Sequence, residues 1–402
     1  MTVLVADKLP DHHRTALEEQ KCSVVYEPEL KGDALIEAMR SHTPDILIVR
    51  STKVPRAVIE AHPGLNVVIR AGAGYNTIDV EAASARSVYV ANTPGKNSVA
   101  VAELAFGLLL SLDRRIPDNV SDLRNGVWNK QEYSKAEGIY GQTLGVVGLG
   151  KIGVEMVHRA KSFGMKVVAW SRSLSTERAE SLGVRRLGSP EEVAGHADAV
   201  SVHLAANADT KNLISEQFFA QMKPGAYFIN TSRAEVVDEA ALQQAIKDKG
   251  IRAGLDVFSQ EPSGKSGAVT APLFDEPVVY GTHHIGASTE QAQNAVADEV
   301  VRIVGSYLES GQVPNCVNTA RRTPARYILS VHHRNRVGVL ASVLTVIKEN
   351  NINVNSMENV LFEGGEGACA NIQIEAALSE AAMRKLEASS DEVLSVNMHE
   401  IG

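Results

Sequence analysis

A chain of 402 residues is longer than one ordinary core accommodates, and at roughly 150 residues per domain two or three domains are expected. Its 44% apolar and 22% charged residues are those of an average globular protein. A formal net charge of −8 without any basic block argues against a nucleic-acid partner. Cys22, Cys316 and Cys369 lie far apart without CxxC spacing, so neither a zinc site nor a disulfide framework is expected, and no stretch resembles a signal peptide or a membrane span. A soluble, cytoplasmic protein with no metal is the expectation.

From residue 1 to about 95, short β-branched runs at 3–6, 46–49, 67–69 and 88–91 alternate with segments of helical period, the rhythm of a parallel α/β sheet. Val101, Leu104, Ala105, Leu108 and Leu112 share one face of a long helix that carries the chain out of this first domain. From Gly141 the alternation restarts, with strands expected at 144–148, 166–170, 199–204, 226–230 and 254–258, and a helix capped by Asp238. A helix rich in alanine and valine over about 289–309 leads back towards the first half. The first domain is therefore expected to be discontinuous, residues 1–97 with 286–317, around a second doubly wound domain at 98–285.

The stretch 310–326, with two prolines, a glycine and the Arg321-Arg322 pair, reads as a linker whose last part, 318–326, separates a third domain. Residues 327–402 follow a βαββαβ order. A strand at 327–331 precedes a helix marked by Val339, Leu340, Val343, Leu344 and Ile347. A strand over 352–361, a Gly364-Gly365 turn, an alternating strand through Ala370, Ile372 and Ile374, a helix capped by Ser379 and a strand at 393–396 complete it. The fold class is thus α/β: two doubly wound, Rossmann-like domains and a C-terminal ferredoxin-like unit.

Gly148-Leu149-Gly150-Lys151-Ile152-Gly153 is a GxGxxG placed directly after a strand and opening a helix. Its glycines permit a tight turn, close approach of backbone amides to a pyrophosphate, and packing of helix on strand. After the next strand, where an acid would clasp the ribose hydroxyls of NAD, stands Ser171-Arg172-Ser173. A guanidinium and two hydroxyls also suit a ribose 2′-phosphate, so NAD is expected and NADP stays open. Arg233 in Asn230-Thr231-Ser232-Arg233, Glu261 after Asp256, and His284 before Ile285-Gly286 all follow strands of the same domain. Singly, each is an ordinary surface or loop residue. Together, at the carboxyl ends of strands, they supply an anion clamp, an orienting carboxylate and a proton carrier.

The nucleotide motif, the NTSR segment, the GLDVF-to-EP segment and HIGAST, in this order, resemble the D-isomer-specific 2-hydroxyacid dehydrogenase family over about residues 1–317. The resemblance implies that Arg233 binds the substrate carboxylate and carbonyl and that His284 is the acid/base. Glu261 would orient His284 and favour its protonated form, and Asp256 would contact the nicotinamide end. Thr231 and Ser232 would lie against the coenzyme. Two positions depart from the family pattern: His283 stands where proline is usual, and Ala234-Glu235 where glycine usually follows NTSR.

In the first domain Arg50-Ser51-Thr52-Lys53, Arg70-Ala71-Gly72-Ala73-Gly74 and Asn97-Ser98 resemble the phosphoglycerate dehydrogenase branch. That likeness implies a glycine loop (Gly72, Ala73, Gly74) with Ser51 and Asn97 around a carboxylate, and Arg50, Lys53 and Arg70 as the cations for a phosphate. The implied reaction is NAD(P)-dependent oxidation of 3-phosphoglycerate to 3-phosphohydroxypyruvate, the first step of serine synthesis. A hydroxypyruvate or glyoxylate reductase and a nucleotide-sensing corepressor are the alternatives. His332-His333-Arg334-Asn335-Arg336-Val337-Gly338-Val339-Leu340 resembles the opening of an ACT domain, with Val337 in place of proline and Asn335 as expected helix cap. By that resemblance His333, Asn335 and Asn353 would line an L-serine effector site between paired domains of a homodimer or homotetramer.

Overall fold

The structure is a computed structural model that describes residues 1–262, 267–320 and 322–401; Arg321 of the expected linker lies outside them. The chain divides into two compact units, Met1–Asn318 and Thr319–Gly402.

The first unit holds two sheets. One runs β2 (Ser23–Tyr26), β1 (Thr2–Val5), β3 (Ile46–Val49), β4 (Val67–Arg70), β5 (Tyr89–Asn92), all parallel. Its inner strands are apolar at consecutive positions because helices cover both faces. Leu35 and Met39 pack on one side, and Ala297, Val300, Ile303 and Val304 of the returning helix Glu290–Ser310 pack on the other. β2 escaped the sequence reading because it is an edge strand whose short run, Val24-Val25-Tyr26, is only partly buried.

The second sheet runs β12 (Val279–Gly281), β11 (Arg252–Leu255), β10 (Tyr227–Asn230), β9 (Ala199–Val202), β6 (Thr143–Val147), β7 (Lys166–Trp170), β8 (Arg185–Arg186), again parallel throughout. The chain leaves β6 in one direction and returns to β9 on its other side. That reversal makes the crevice between β6 and β9, at their carboxyl ends, the place where a ligand fits. β8 and β12, of two and three residues at the two edges, were too short to register as sequence patterns. The helix Ser98–Arg114 buries Ala105, Leu108, Leu109 and Leu112 in the core of this sheet, so the chain crosses between sheets just after β5.

Glu299 fastens that crossing. Its carboxylate, buried in the returning helix, accepts from Arg302 at 3.0 Å (Nε) and from Asn315 at 2.7 Å, and pairs with Lys96 of the crossing at 3.1 Å. The hydrogen bonds from Arg302, then those from Lys96 and Asn315, outweigh burial and hold the carboxyl at about 2. A pKa depressed by folding contributes stability that is complete above the ordinary carboxylate range and is lost as pH falls from about 5 towards 2. Glu299→Gln is expected to cost roughly 3 kcal/mol near neutrality and much less at pH 3. Urea unfolding of both proteins at the two pH values measures this.

The second unit is an antiparallel sheet, β14 (Val354–Leu361), β15 (Gly367–Ile374), β13 (Tyr327–Arg334), β16 (Val393–Glu400), with helices Val339–Glu349 and Glu380–Glu387 on one face. Leu329, Val331, Ala370, Ile372 and Val396 meet Val343, Ile347 and Leu386 in its core. Gly364 and Gly365 both take positive φ (88° and 73°) in the hairpin turn. The N-cap expectation is corrected here. The helix starts at Val339 behind Gly338, whose φ of 92° admits the turn, and Asn335 instead donates its side-chain amide to the Gly365 carbonyl at 3.1 Å.

Candidate active site

β6 ends in the glycine loop. Gly148 has φ +96°, and a Cβ there would lie 2.4 Å from the His203 carbonyl oxygen; one on Gly153 would lie 2.2 Å from that of Gly148. Both positions exclude a side chain. At Gly150 a Cβ would meet nothing within 4 Å, so this glycine keeps open space at the mouth of the helix Lys151–Ser162. The first helical bond there runs from Val154 N–H to Gly150 O, so the amides of Lys151, Ile152 and Gly153 are the unpaired donors of the helix end. The Thr231 hydroxyl, buried just beyond β10, has no partner among the described residues. Open space, free amides and an orphaned hydroxyl at the carboxyl edge of the sheet fit a dinucleotide.

Around this loop the residues expected at the coenzyme differ in setting. Ser171 is half-buried and Ser173 exposed, while Arg172 pairs with Asp209 at 2.9 Å with both side chains about three-quarters exposed. Ser232 is engaged internally, its hydroxyl donating to Asn230 Oδ1 at 2.7 Å. Lys151 reaches away from its own loop and donates to Pro94 O at 2.9 Å, with its aliphatic stem beneath Gly95 (φ +79°).

Glu261 and His284 meet, Glu261 Oε2 lying 2.8 Å from His284 Nδ1, and the other carboxylate oxygen accepts from Phe258 N–H at 3.0 Å. The carboxylate is thereby fixed at both ends, and Nε2 of the imidazole is left for a reacting group. His284 has φ +52°, a left-handed conformation that a non-glycine residue adopts at a cost. The fully buried Asp256 holds it there. Its Oδ1 accepts from Thr282 Oγ1 at 2.6 Å and Ile285 N–H at 2.8 Å, and its Oδ2 from Gly286 N–H at 2.9 Å, so the loop is tied down on both sides of His284. The unusual His283 is exposed. Ala234-Glu235 form a single 3-10 turn without positive φ, so the glycine usual there is dispensable.

Cations gather at the loop 72–74. An added Cβ on Gly74 would lie 3.0 Å from Arg233 Nη2, and one on Gly72 (φ +157°) would fall on the Arg70 guanidinium. Arg233 of the second sheet thus reaches the glycine loop of the first, and Arg70 folds beneath it. Burial first, then the charges of Arg233 and Arg50, push the Arg70 guanidinium down to about 10, and its Nε is buried without a partner among the described residues. Asn92 Nδ2 and Thr93 N–H occupy the carbonyls of Ala73 and Gly72 (2.6 and 3.0 Å). Among the described residues no hydrogen bond engages the amides of Ala73 and Gly74.

Asp7, at the end of β1, accepts from the amides of Arg50, Ser51 and Thr52 at 2.7, 3.0 and 2.9 Å and from the Ser51 hydroxyl at 3.1 Å. Burial opposes its ionisation, but those amide bonds win and its carboxyl sits below the usual range. Asp7 carries no signature in the sequence; that it aims the Arg50 turn appears only once β1 and β3 are side by side. Lys53 is exposed and Asn97 half-buried at the crossing.

In the second unit His333 is buried, with Nδ1 2.9 Å from Arg334 O and Nε2 3.1 Å from Asn359 Oδ1. Asn335 engages the hairpin turn. Asn353 donates to Glu375 at 3.3 Å and borders a cavity of about 380 Å³ with Leu344, Ile347 and Lys348. Within one copy the three expected effector residues therefore have separate sets of neighbours.

Residues 106–286 match the D-isomer specific 2-hydroxyacid dehydrogenase, NAD binding domain. D-3-phosphoglycerate dehydrogenase of Methanocaldococcus jannaschii is 39% identical over 318 residues, covering 79% of this chain and 59% of that one. The Mycobacterium tuberculosis (strain H37Rv) enzyme of the same name is 40% identical over 349 residues, covering 85% and 64%. The chain thus spans about three-fifths of the length of these relatives. Among solved structures, the TT0316 protein of Thermus thermophilus matches with TM-score 0.70 and 31% identity over 79% of this chain and all of that one. Cofactor (NAD+)-bound 3-phosphoglycerate dehydrogenase of Entamoeba histolytica matches with TM-score 0.65 and 26% identity over 79% and 99%. With the glycine loop, the arginine and the carboxylate–imidazole pair set at the edge of a matching fold, the chain belongs to the D-isomer-specific 2-hydroxyacid dehydrogenase family.

Proposed function

We propose that this protein oxidises 3-phosphoglycerate to 3-phosphohydroxypyruvate with NAD. The observation that carries the substrate is the grouping of Arg50, Arg70 and Arg233, close enough to depress Arg70, whose buried Nε has no acceptor. Clustered guanidiniums that repel one another are stabilised by a ligand with several negative charges, here a carboxylate and a phosphate. The first sheet with its returning helix serves as substrate domain and the second as coenzyme domain. Bound NAD supplies the hydride acceptor at C2 of the substrate. Arg233 and the Ala73 and Gly74 amides hold the carboxylate and the C2 oxygen; His284, oriented by Glu261, takes the hydroxyl proton at Nε2 in oxidation and returns it in reduction. Arg50, Arg70 and Lys53 take the phosphate.

Coenzyme choice turns on Arg172. Its exposed pair with Asp209 is worth little and leaves the guanidinium available to NAD's ribose hydroxyls only by displacement. Asp209→Asn removes both that partner and a negative charge facing a 2′-phosphate, and is expected to raise the NADP/NAD ratio of kcat/KM about fivefold, roughly 1 kcal/mol. Initial rates with each coenzyme measure it.

The assembly proposed is a homodimer or homotetramer. The helix Ile116–Arg124 buries none of its residues, and Ile116, Leu123, Val127 and Trp128 present apolar surface suited to a second copy of this chain. The second unit, whose order and sequence resemble an ACT domain, would then pair with its twin, bringing His333 and Asn335 of one copy to Asn353 of the other around L-serine. The deciding experiment is reduction of NAD and of NADP by the purified protein with 3-phosphoglycerate, with and without L-serine. NAD-linked turnover is the expected result. No turnover with 3-phosphoglycerate but rapid reduction of hydroxypyruvate or glyoxylate would remove the substrate assignment and keep the family chemistry.

A further inference from the structure

The Glu261–His284 pair hangs on a loop without regular structure, from Asp256 to Glu261, and something must keep its far end in place. Asp256 anchors the near end through the His284 loop. At the far end the Phe258 ring is wedged between Phe274, 4.7 Å away centroid to centroid, and Gly281, where a Cβ would come within 3.0 Å of it. The turn from Phe258 to Glu261 is closed by Glu261 accepting from Phe258 N–H, but a four-residue turn of this kind can swing as a body.

Among the described residues a neighbouring helix also grips the turn. Glu239, the first residue of the helix Glu239–Lys249, places both carboxylate oxygens on Ser259: Oε1 accepts from the Ser259 amide at 2.7 Å and Oε2 from its hydroxyl at 2.5 Å. Capping of that helix does not require Glu239, because Asp238 already accepts from Ala241 N–H. A two-point, charge-assisted grip on a single loop residue fixes orientation as well as position.

We propose that Glu239 is a positioning residue for catalysis, clamping Ser259 so that the Glu261 carboxylate stays directed at His284 Nδ1. This rests on the acid/base reading of that pair. A loosened Glu261 leaves the imidazole free to turn, so His284 Nε2 is misaimed for the hydroxyl proton and kcat falls while KM changes little.

The test compares kcat and KM for 3-phosphoglycerate oxidation in Glu239→Ala, Glu239→Gln, Ser259→Ala, Glu261→Gln and the double variant Glu239→Ala/Glu261→Gln, with NAD binding followed by protein fluorescence. Glu239→Ala is expected to lower kcat about tenfold by misplacing the pair, with KM and NAD affinity retained. Its loss should largely vanish in the double variant. Glu239→Gln, which loses the charge but keeps an acceptor for the Ser259 amide, should recover most of the wild-type rate. Ser259→Ala, which keeps the charge and loses the hydroxyl, should lower kcat by a smaller amount, and it serves as the probe if Glu239→Ala does not fold. An unchanged kcat in both Glu239→Ala and Ser259→Ala, or losses that add fully in the double variant, would overturn the proposal while leaving the pair intact. An unchanged kcat in Glu261→Gln itself would sink the acid/base reading and this proposal with it.

Discussion

His284→Ala is expected to lower turnover about 10³-fold in both directions, because in the proposed reaction His284 is the group that accepts and returns the hydroxyl proton. NAD binding should persist, since the glycine loop and the amides of Lys151, Ile152 and Gly153 are carried by β6 and its helix rather than by the His284 loop. The left-handed backbone at residue 284 complicates alanine, which disfavours φ +52°. His284→Asn is the matched control, as asparagine tolerates this conformation and has no proton to exchange near neutrality. Equal losses in the two variants assign the effect to the imidazole. A rate within tenfold of wild type in His284→Asn would remove His284 as the acid/base.

Asp256→Asn should produce the next largest effect and separate two roles. The family resemblance gives Asp256 a contact at the nicotinamide end, whereas its two oxygens are already occupied by Thr282, Ile285 and Gly286. An asparagine keeps one oxygen and turns an amide N–H towards the Gly286 N–H, leaving a buried donor unpaired at a cost of about 1–3 kcal/mol. With the loop released, His284 leaves its strained position, and kcat is expected to fall about 100-fold with NAD affinity little changed and a lower Tm. Weakened NAD binding at unchanged Tm would instead favour the coenzyme contact. Steady-state kinetics, coenzyme titration and thermal unfolding on one preparation distinguish them.

The two tests bear on what a linear reading can reach. Gly148, Gly150 and Gly153 were legible because a strand-turn-helix needs glycines at that spacing for local steric reasons, and the structure shows two of them with no room for a Cβ and the third beside open space. Asn335 shows the opposite case. An asparagine ahead of an apolar helical run looks like a cap, but Gly338 with its positive φ can start the helix by itself, so Asn335 is free to bind the hairpin turn thirty residues on. Edge strands β2, β8 and β12 were invisible because their pairing depends on a neighbour and not on a buried apolar run.

By itself the sequence determined the order of βα units, the nucleotide loop, the helix that crosses between the sheets and the second unit's βαββαβ pattern. These follow from local periodicity and backbone sterics, which act over a few residues. Only the tertiary structure decided how acids are spent. Asp7 orders the Arg50 turn, Asp256 straps the His284 loop, Glu239 grips Ser259, and Glu299 ties Lys96 to the returning helix; each acts on residues from 20 to more than 200 positions away. A carboxylate has no periodic signature, and its role is set by whichever donors the packed strands deliver to it.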